Sequence, residues 1–195
     1  MELLIISQFV SWLVWGFAAI RQRHCYYALF FLTLALADPT SFILRKIIIV
    51  PPSKIFNLFT VAALYSFYKT EGYFYFKKLK PEIGLIFLFP LFFNNSPYYM
   101  KIYLMLLELM VLAEFLKRFF IVAVGGIFNL FYLVLLIYEL SIVIKYLFLF
   151  TGTRVGIEYY ATTSILQIAI ALFFIIFKEN NPKLLINLPK SIKID

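Results

Sequence analysis

Histidine, cysteine and aspartate are nearly absent from this sequence of 195 residues. It contains one histidine, one cysteine and two aspartates, which are His24, Cys25, Asp38 and Asp195. One histidine cannot supply both axial ligands of a bis-histidine haem or an H-E-x-x-H zinc site. One cysteine cannot form an intrachain disulfide or a C-x-x-C motif. A catalytic pair of aspartates is excluded too, because Asp195 ends the tail. We expect no metal, no cofactor and no enzymatic activity.

Signatures of phosphate and retinal binding are missing as well. No P-loop and no G-x-G-x-x-G pattern occurs in the chain. The last apolar segment contains no lysine, so a retinal Schiff base cannot form there. These absences exclude nucleotide-binding and retinal-binding functions, but they do not indicate which function the protein has.

Charged residues are scarce and apolar residues abundant. Charged residues make up 14% of the chain and hydrophobic residues 64%, whereas an ordinary soluble domain has about 25% and 45–50%. A soluble fold of this length has too little interior to bury so much phenylalanine, leucine and isoleucine. The composition predicts an integral membrane protein whose main partner is the lipid bilayer.

The apolar residues fall into seven segments, which predict an all-α, single-domain bundle of about seven transmembrane helices. Short basic or proline-containing stretches separate them. The N-terminus lacks a basic region and a small-residue cleavage site, so we interpret the first segment as a permanent span. The predicted helices are Leu3–Ile20, Tyr26–Leu44, Ile55–Tyr68, Glu82–Phe93, Tyr98–Leu116, one within Phe119–Phe150, and Glu158–Phe177.

The sixth segment is longer than one span requires. Residues 119–150 would extend roughly 48 Å as a helix, at about 1.5 Å per residue. Only Gly125-Gly126 resembles a turn inside it. We predict one long helix that projects from the membrane, with the glycine pair near its inner end.

Basic residues set the predicted orientation. Twelve of the 18 lysines and arginines lie in the first loop, the 69–81 loop, the Lys117-Arg118 pair and the tail. The positive-inside rule then predicts an outside N-terminus, an inside C-terminus and a multi-pass location in an inner (cytoplasmic) or equivalent organelle membrane. It also explains the net charge of +8 without nucleic acid. Residues 1–177 form the predicted bundle, and residues 178–195 a short basic cytoplasmic tail.

Five polar residues lie inside the predicted spans and form the candidate intramembrane site for a ligand or a proton. A charged side chain at the centre of a span costs roughly 2.5–3.5 kcal/mol on insertion scales, so we expect these residues to face other helices. Burial should leave Glu108 protonated or paired. The candidate residues are Asp38, Glu108, Asn129, Glu139 and Gln167.

Helical spacing supports an inward-facing stripe, although two interpretations remain open. Gly125, Asn129, Tyr132, Leu136 and Glu139 are separated alternately by four and three residues. Polar residues in membranes often only join helices, worth about 0.6 kcal/mol each. We favour that role for Asn129 and Gln167, and a functional role for Asp38 and Glu108. Glu139 is central if its helix starts late; otherwise it could pair with Lys145.

Three functions fit this pattern. The first is a seven-helix membrane sensor or signalling module with an intramembrane polar site. The second is a small-solute or proton-coupled transporter, which the carboxylates and the prolines favour. The third is a non-catalytic subunit of a larger membrane complex. A sensor of this kind would act through a membrane or cytoplasmic protein partner.

Overall fold

The structure, a computed structural model, describes residues 2–47, 52–70, 96–151, 154–179 and 181–188. Long helices fill most of these ranges, which confirms the predicted helical class. The predicted fourth helix, Glu82–Phe93, lies outside them. The elements are α1 Glu2–Arg21, α2 Ala28–Ile47, α3 Pro52–Thr70, α4 Pro97–Val124, β1 Ile127–Asn129, α5 Leu130–Thr151, α6 Arg154–Ile176, a 3-10 helix Pro182–Leu184, and β2 Leu185–Asn187.

Prolines mark where two of the helices begin. Pro52 opens α3, and Pro97 opens α4 after Ser96, which has the extended backbone of an N-cap residue. The first turn of a helix leaves its N–H groups unbonded, so a residue without an N–H fits there. Pro39 is different, because α2 continues through it to Ile47. The helix is therefore not broken beside Asp38.

The prediction of one helix through residues 119–150 is wrong. α4 runs past Lys117-Arg118 to Val124, the chain turns at Gly125-Gly126, and α5 begins only at Leu130. Gly126 has a φ of 83°, a left-handed conformation that costs glycine little. The glycine pair thus ends one helix and allows the next to start.

The six described helices form a ring, in which each contacts the next in chain order and α6 contacts α1. Most neighbours are antiparallel, but α6 and α1 are parallel, with C-terminal ends that meet where Gln22 contacts Phe174, and α3 and α4 are parallel too. Near their starts, Asn57 Nδ2 donates to the Met100 carbonyl oxygen over 3.1 Å. Near their ends, the rings of Phe67 and Phe115 lie 5.6 Å apart. The end of α3 at Thr70 and the start of α4 at Pro97 therefore lie at opposite ends of the ring.

Aromatic side chains fill much of the interior. Tyr27, just before α2, and Phe30 of α2 pack edge-on against Phe115 of α4, with ring centroids 5.1 and 5.0 Å away. Trp15 of α1 lies 4.8 Å from the ring of Tyr138 on α5. Such pairs contribute about 0.5–1.5 kcal/mol beyond the area that they bury. They fix the helices that carry the polar residues described below.

The residues after α6 return to the bundle. β2 pairs antiparallel with β1, so that Phe128 lies opposite Ile186. The Leu188 N–H also donates to the Gly126 carbonyl oxygen over 2.9 Å. The first part of the predicted tail is therefore attached to the turn between α4 and α5.

One stretch of the described helices, Leu130–Phe148, is long and apolar enough by itself to cross a membrane. Other apolar helical stretches are shorter: Phe9–Arg21, Ala28–Leu44 and Thr162–Ile176. By length and composition, one of the seven predicted spans is present among the described helices.

Candidate functional site

Two glutamates meet in the interior of the ring. Glu108 lies near the middle of α4 and Glu139 near the middle of α5, and their carboxyl groups adjoin. Glu139 is completely buried, and Glu108 is 8% exposed. Two carboxylates this close cannot both be ionised in a dry environment without a large cost. We call Glu108 and Glu139 the carboxyl pair.

Thr60 of α3 contacts the carboxyl pair. Its Oγ1 donates to Oε1 of Glu108 over 3.0 Å and also lies 3.0 Å from the carbonyl oxygen of Phe56. A hydroxyl group has one hydrogen to donate, so the two acceptors share it. Thr60 therefore provides Glu108 with part of one hydrogen bond.

Glu139 has a different environment from Glu108. Among the described residues, the one hydrogen-bond partner within reach of its two oxygens is the carboxyl group of Glu108. An isolated buried carboxylate is far more costly than a buried neutral acid. Glu139 is thus the group in the described interior whose ionisation would disturb the fold most. The sequence prediction that Glu139 becomes central when its helix starts late is confirmed, since α5 begins at Leu130.

Asp38 and Gln167 belong to a second polar group around Lys145. Asp38 of α2 interacts electrostatically with the Lys145 ammonium group. Lys145 Nζ lies 3.4 Å from both Gln167 Oε1 and Ser164 Oγ on α6. Gln167 in turn lies 3.5 Å from Ser141 Oγ. This group joins three helices through long, weak hydrogen bonds.

Tyr138 lies between the two polar groups. It is 4% exposed and interacts electrostatically with Glu139, Glu108 and Asp38. Four of the five predicted site residues are consequently linked, two in the carboxyl pair and two in the group around Lys145.

Asn129 lies apart from the other predicted site residues. It is in β1, before α5 begins, and its Oδ1 accepts a hydrogen bond of 2.9 Å from the Phe131 N–H. This side chain satisfies an N–H of the first turn of a helix, as capping asparagines do. The predicted stripe therefore starts at Tyr132, because Gly125 and Asn129 are not in α5.

A third group of buried polar residues was not predicted from the sequence. Both oxygens of the Glu179 carboxyl group accept hydrogen bonds, one from the Tyr26 N–H (2.8 Å) and one from the Tyr132 hydroxyl (2.6 Å). Gln22 Nε2 lies 2.6 Å from the carbonyl oxygens of Phe174 and Phe177. We call Gln22, Tyr26, Tyr132 and Glu179 the end cluster.

The end cluster joins the α1–α2 connection, the start of α5 and the residues after α6. The Arg118 guanidinium group lies 5.0 Å from the centre of the Tyr26 ring, a cation–π distance. The one sign of this cluster in the sequence is Glu179, which follows the last apolar segment. A glutamate at the end of a helix is usually solvated, so its position did not predict a buried contact.

Cys25 lies in the connection between α1 and α2, and its thiol is unreactive. Burial and then the nearby Glu179 raise the pKa of its thiol to about 12. The thiolate is the reactive form of cysteine, so this thiol is a poor nucleophile. Nucleophilic chemistry at Cys25 is therefore not a role that the structure favours. No group of three or more metal-ligating side chains occurs among the described residues.

Comparisons with known proteins give no match to any family model, any curated protein or any solved structure. The fold and the site define the chain by themselves as a helical bundle with a buried carboxyl pair.

Proposed function

We propose that this chain is a multi-pass membrane protein. The distribution of its side chains supports this proposal. Large apolar side chains on the outside of the ring are exposed, whereas glutamate, asparagine and threonine are buried inside it. A soluble protein of this kind would present an apolar surface far larger than monomers tolerate. Exposed apolar residues include Leu13, Phe17, Ile20, Leu32, Leu36, Ile43, Leu58, Leu106, Leu109, Ile137, Leu140, Leu147, Ile165, Leu172 and Ile176.

The parallel arrangement of α3 and α4 supports an odd number of crossings between them. The connecting chain leads from one end of the ring to the other, and the sequence predicts the helix Glu82–Phe93 within it. This gives seven spans. Arg21, Arg118 and Lys178 lie at the end that carries the end cluster, so the positive-inside rule makes that end cytoplasmic.

Within this membrane bundle, we infer a sensor or signalling module that responds to protonation of the carboxyl pair. The observation that carries this proposal is Glu139, whose two buried oxygens have only the carboxyl group of Glu108 as a partner among the described residues. Protonation or loss of a proton there changes the free energy of packing between α4 and α5. A two-state bundle is biased by a ligand only through such a difference between states, and here the ligand is a proton.

α5 connects the carboxyl pair with the cytoplasmic end. Glu139 and Tyr132 lie seven residues apart on this helix, which is about two turns on the same face. Tyr132 bonds to Glu179 beyond α6, and β1, which leads into α5, pairs with β2. A shift of α5 is therefore transmitted to the tail, where a cytoplasmic partner would read it.

A proton-coupled transporter is the second candidate, and the group around Lys145 favours it. Asp38, Lys145 and Gln167 continue the polar interior beyond Tyr138. Chains of intramembrane ionisable residues are typical of proton pathways. This reading requires net movement of protons, which a sensor does not.

Trp15 fluorescence tests the sensor proposal, because this ring lies 4.8 Å from Tyr138, the neighbour of Glu139. The chain has two tryptophans, so Trp12→Phe leaves Trp15 as the reporter. Among the described residues, the titratable group that interacts with both members of the carboxyl pair is Tyr138 on α5. Asp38 on α2 interacts with Tyr138, and Thr60 on α3 is the polar neighbour of Glu108. Emission should change with pH.

Glu139→Gln should abolish that change. Glu114→Gln is the matched control, because Glu114 lies 3.8 Å from Lys117 near the cytoplasmic end of α4. An unchanged pH response in Glu139→Gln would contradict the proposal. Uptake of protons into proteoliposomes, followed with an enclosed pH dye, would instead assign the transporter.

A further inference from the structure

A cavity opens at the cytoplasmic end of the bundle, outside the carboxyl pair. Its volume is about 230 Å³, and it lies between the α1–α2 connection and the residues after α6. The lining residues are Arg21, Gln22, His24, Cys25, Lys178 and Glu179. We call it the end cavity. Gln22 connects the two walls of the cavity, because its Nε2 donates to the carbonyl oxygens of Phe174 and Phe177.

The charge of the end cavity is suited to an anion. Arg21 and Lys178 contribute two cationic side chains from different segments of the chain. Glu179 opposes them, but both of its oxygens already accept hydrogen bonds from Tyr26 and Tyr132. The carboxyl group is therefore directed into the end cluster, and the two cations of the lining outnumber its single negative charge.

Gln22 adds a second, independent requirement for a ligand. It is 1% exposed, and its Oε1 has no donor among the described residues, whereas Nε2 contacts two carbonyl oxygens. A buried acceptor without a donor costs about 1–3 kcal/mol, so such atoms are normally matched by water or a ligand. A ligand that satisfies this oxygen must carry a hydroxyl or ammonium group.

We infer that the end cavity binds a phosphate group that carries a hydrogen-bond donor, as the headgroup of phosphatidylglycerol does. The phosphate contacts Arg21 and Lys178, and a glycerol hydroxyl donates to Gln22 Oε1. This inference rests on the proposed membrane location, which places the end cavity at the depth of cytoplasmic headgroups. Basic pockets between helices on that side are where anionic headgroups bind. Free glycerol phosphate shares the same chemistry.

The experiment uses the full chain in a mild detergent and two measurements. Phosphatidylglycerol, phosphatidylcholine, glycerol phosphate and inorganic phosphate are added separately. The first measurement is the melting temperature. The second is the alkylation rate of Cys25, the one cysteine in the chain, which lines the cavity and should be shielded by a bound headgroup.

Phosphatidylglycerol should raise the melting temperature and slow the alkylation of Cys25 more than phosphatidylcholine does. Arg21→Gln and Lys178→Gln should each weaken these effects about fivefold in lipid concentration. Arg23→Gln is the matched control, because Arg23 is in the same connection but does not line the cavity. It should leave both measurements unchanged.

Equal effects of both lipids, or an equal loss in Arg23→Gln and Arg21→Gln, would overturn the inference. Protection by glycerol phosphate as strong as that by phosphatidylglycerol would support the phosphate site and assign it to a soluble ligand. Trp15 fluorescence is followed in the same samples. A pH response that persists while no phosphate compound binds would remove the end cavity as a site and leave the proposed function standing.

Discussion

The carboxyl pair and the end cluster both bury a glutamate, but the two carboxyl groups differ in the hydrogen bonds that they accept. Glu179 is 7% exposed and has a donor on each oxygen, at 2.8 and 2.6 Å. Glu139 is completely buried, and its one partner among the described residues is the carboxyl group of Glu108. A fully bonded carboxyl group holds elements together, because any change breaks its bonds. A carboxyl group whose one partner is another carboxyl group is sensitive to the number of protons that the two hold. The first arrangement is structural, and the second is suited to a switch.

The largest expected effect concerns the structural side of this comparison. Glu179→Ala removes the acceptor of two buried donors, the Tyr26 N–H and the Tyr132 hydroxyl. Hydrogen bonds to charged groups contribute about 1.5–3 kcal/mol each, so we expect a loss of about 3 kcal/mol or more in the free energy of unfolding. Thermal unfolding in detergent measures it.

Tyr132→Phe is the companion variant for Glu179→Ala. It removes one of the two bonds and should cost about half as much. Additivity fails for residues in contact, so the double variant should be scarcely worse than Glu179→Ala alone. If Glu179→Ala lowered the free energy of unfolding by less than Tyr132→Phe does, Glu179 would not be the residue that holds the end cluster together.

The next effect concerns the switch side. A carboxyl pair that holds one proton in the fold binds more protons than the unfolded chain does above about pH 4.3, where free glutamates ionise. Stability then falls as pH rises, by about 1.4 kcal/mol per pH unit for one proton. Glu139→Gln should flatten this slope, because glutamine keeps the size of a neutral glutamic acid. Parallel slopes in the two proteins would show that the pair holds no proton.

Part of this comparison was visible in the sequence. Glu108 was identified by its depth in an apolar segment, and the structure places it beside Glu139, which sequence alone left between two alternatives. The alternatives depended on where α5 begins, and that is set by the turn at Gly125-Gly126. The sequence prediction placed this turn inside a helix because the length of the apolar run was compatible with one span.

The end of α4 was also mispredicted, for a different physical reason. Lys117 and Arg118 looked like the aqueous end of a helix. In the structure Lys117 lies 3.8 Å from Glu114, and Arg118 lies over the ring of Tyr26. Both cations have partners within the bundle, so the helix continues to Val124. The end cluster could not be predicted, since it depends on contacts between residues about 150 positions apart in sequence, such as Gln22 and Phe174.

A smaller effect tests the turn at Gly125-Gly126, which precedes the helix that contains Tyr132 of the end cluster. Gly126 has a φ of 83°, and an alanine there is strained, at a cost of about 1–2 kcal/mol. Gly16 of α1 is the matched control, because a Cβ added there meets nothing within 4 Å and alanine favours helix. Gly126→Ala should lower the melting temperature and Gly16→Ala should not. Equal shifts would show that the left-handed turn does not limit stability.

The smallest effect involves no change of fold and measures the burial of the Cys25 thiol in the connection between α1 and α2. Burial and the neighbouring Glu179 raise the pKa of the Cys25 thiol from 9.0 to about 12. Because only the thiolate reacts, alkylation at neutral pH should be about a hundredfold slower or more than in the unfolded chain. The rate should keep rising with pH beyond 9.0, where the thiol of the unfolded chain is already half ionised. Iodoacetamide labelling followed by mass spectrometry measures it, with the denatured chain as the control. A plateau near pH 9 in the folded protein would show that neither burial nor the charge of Glu179 acts on the Cys25 thiol.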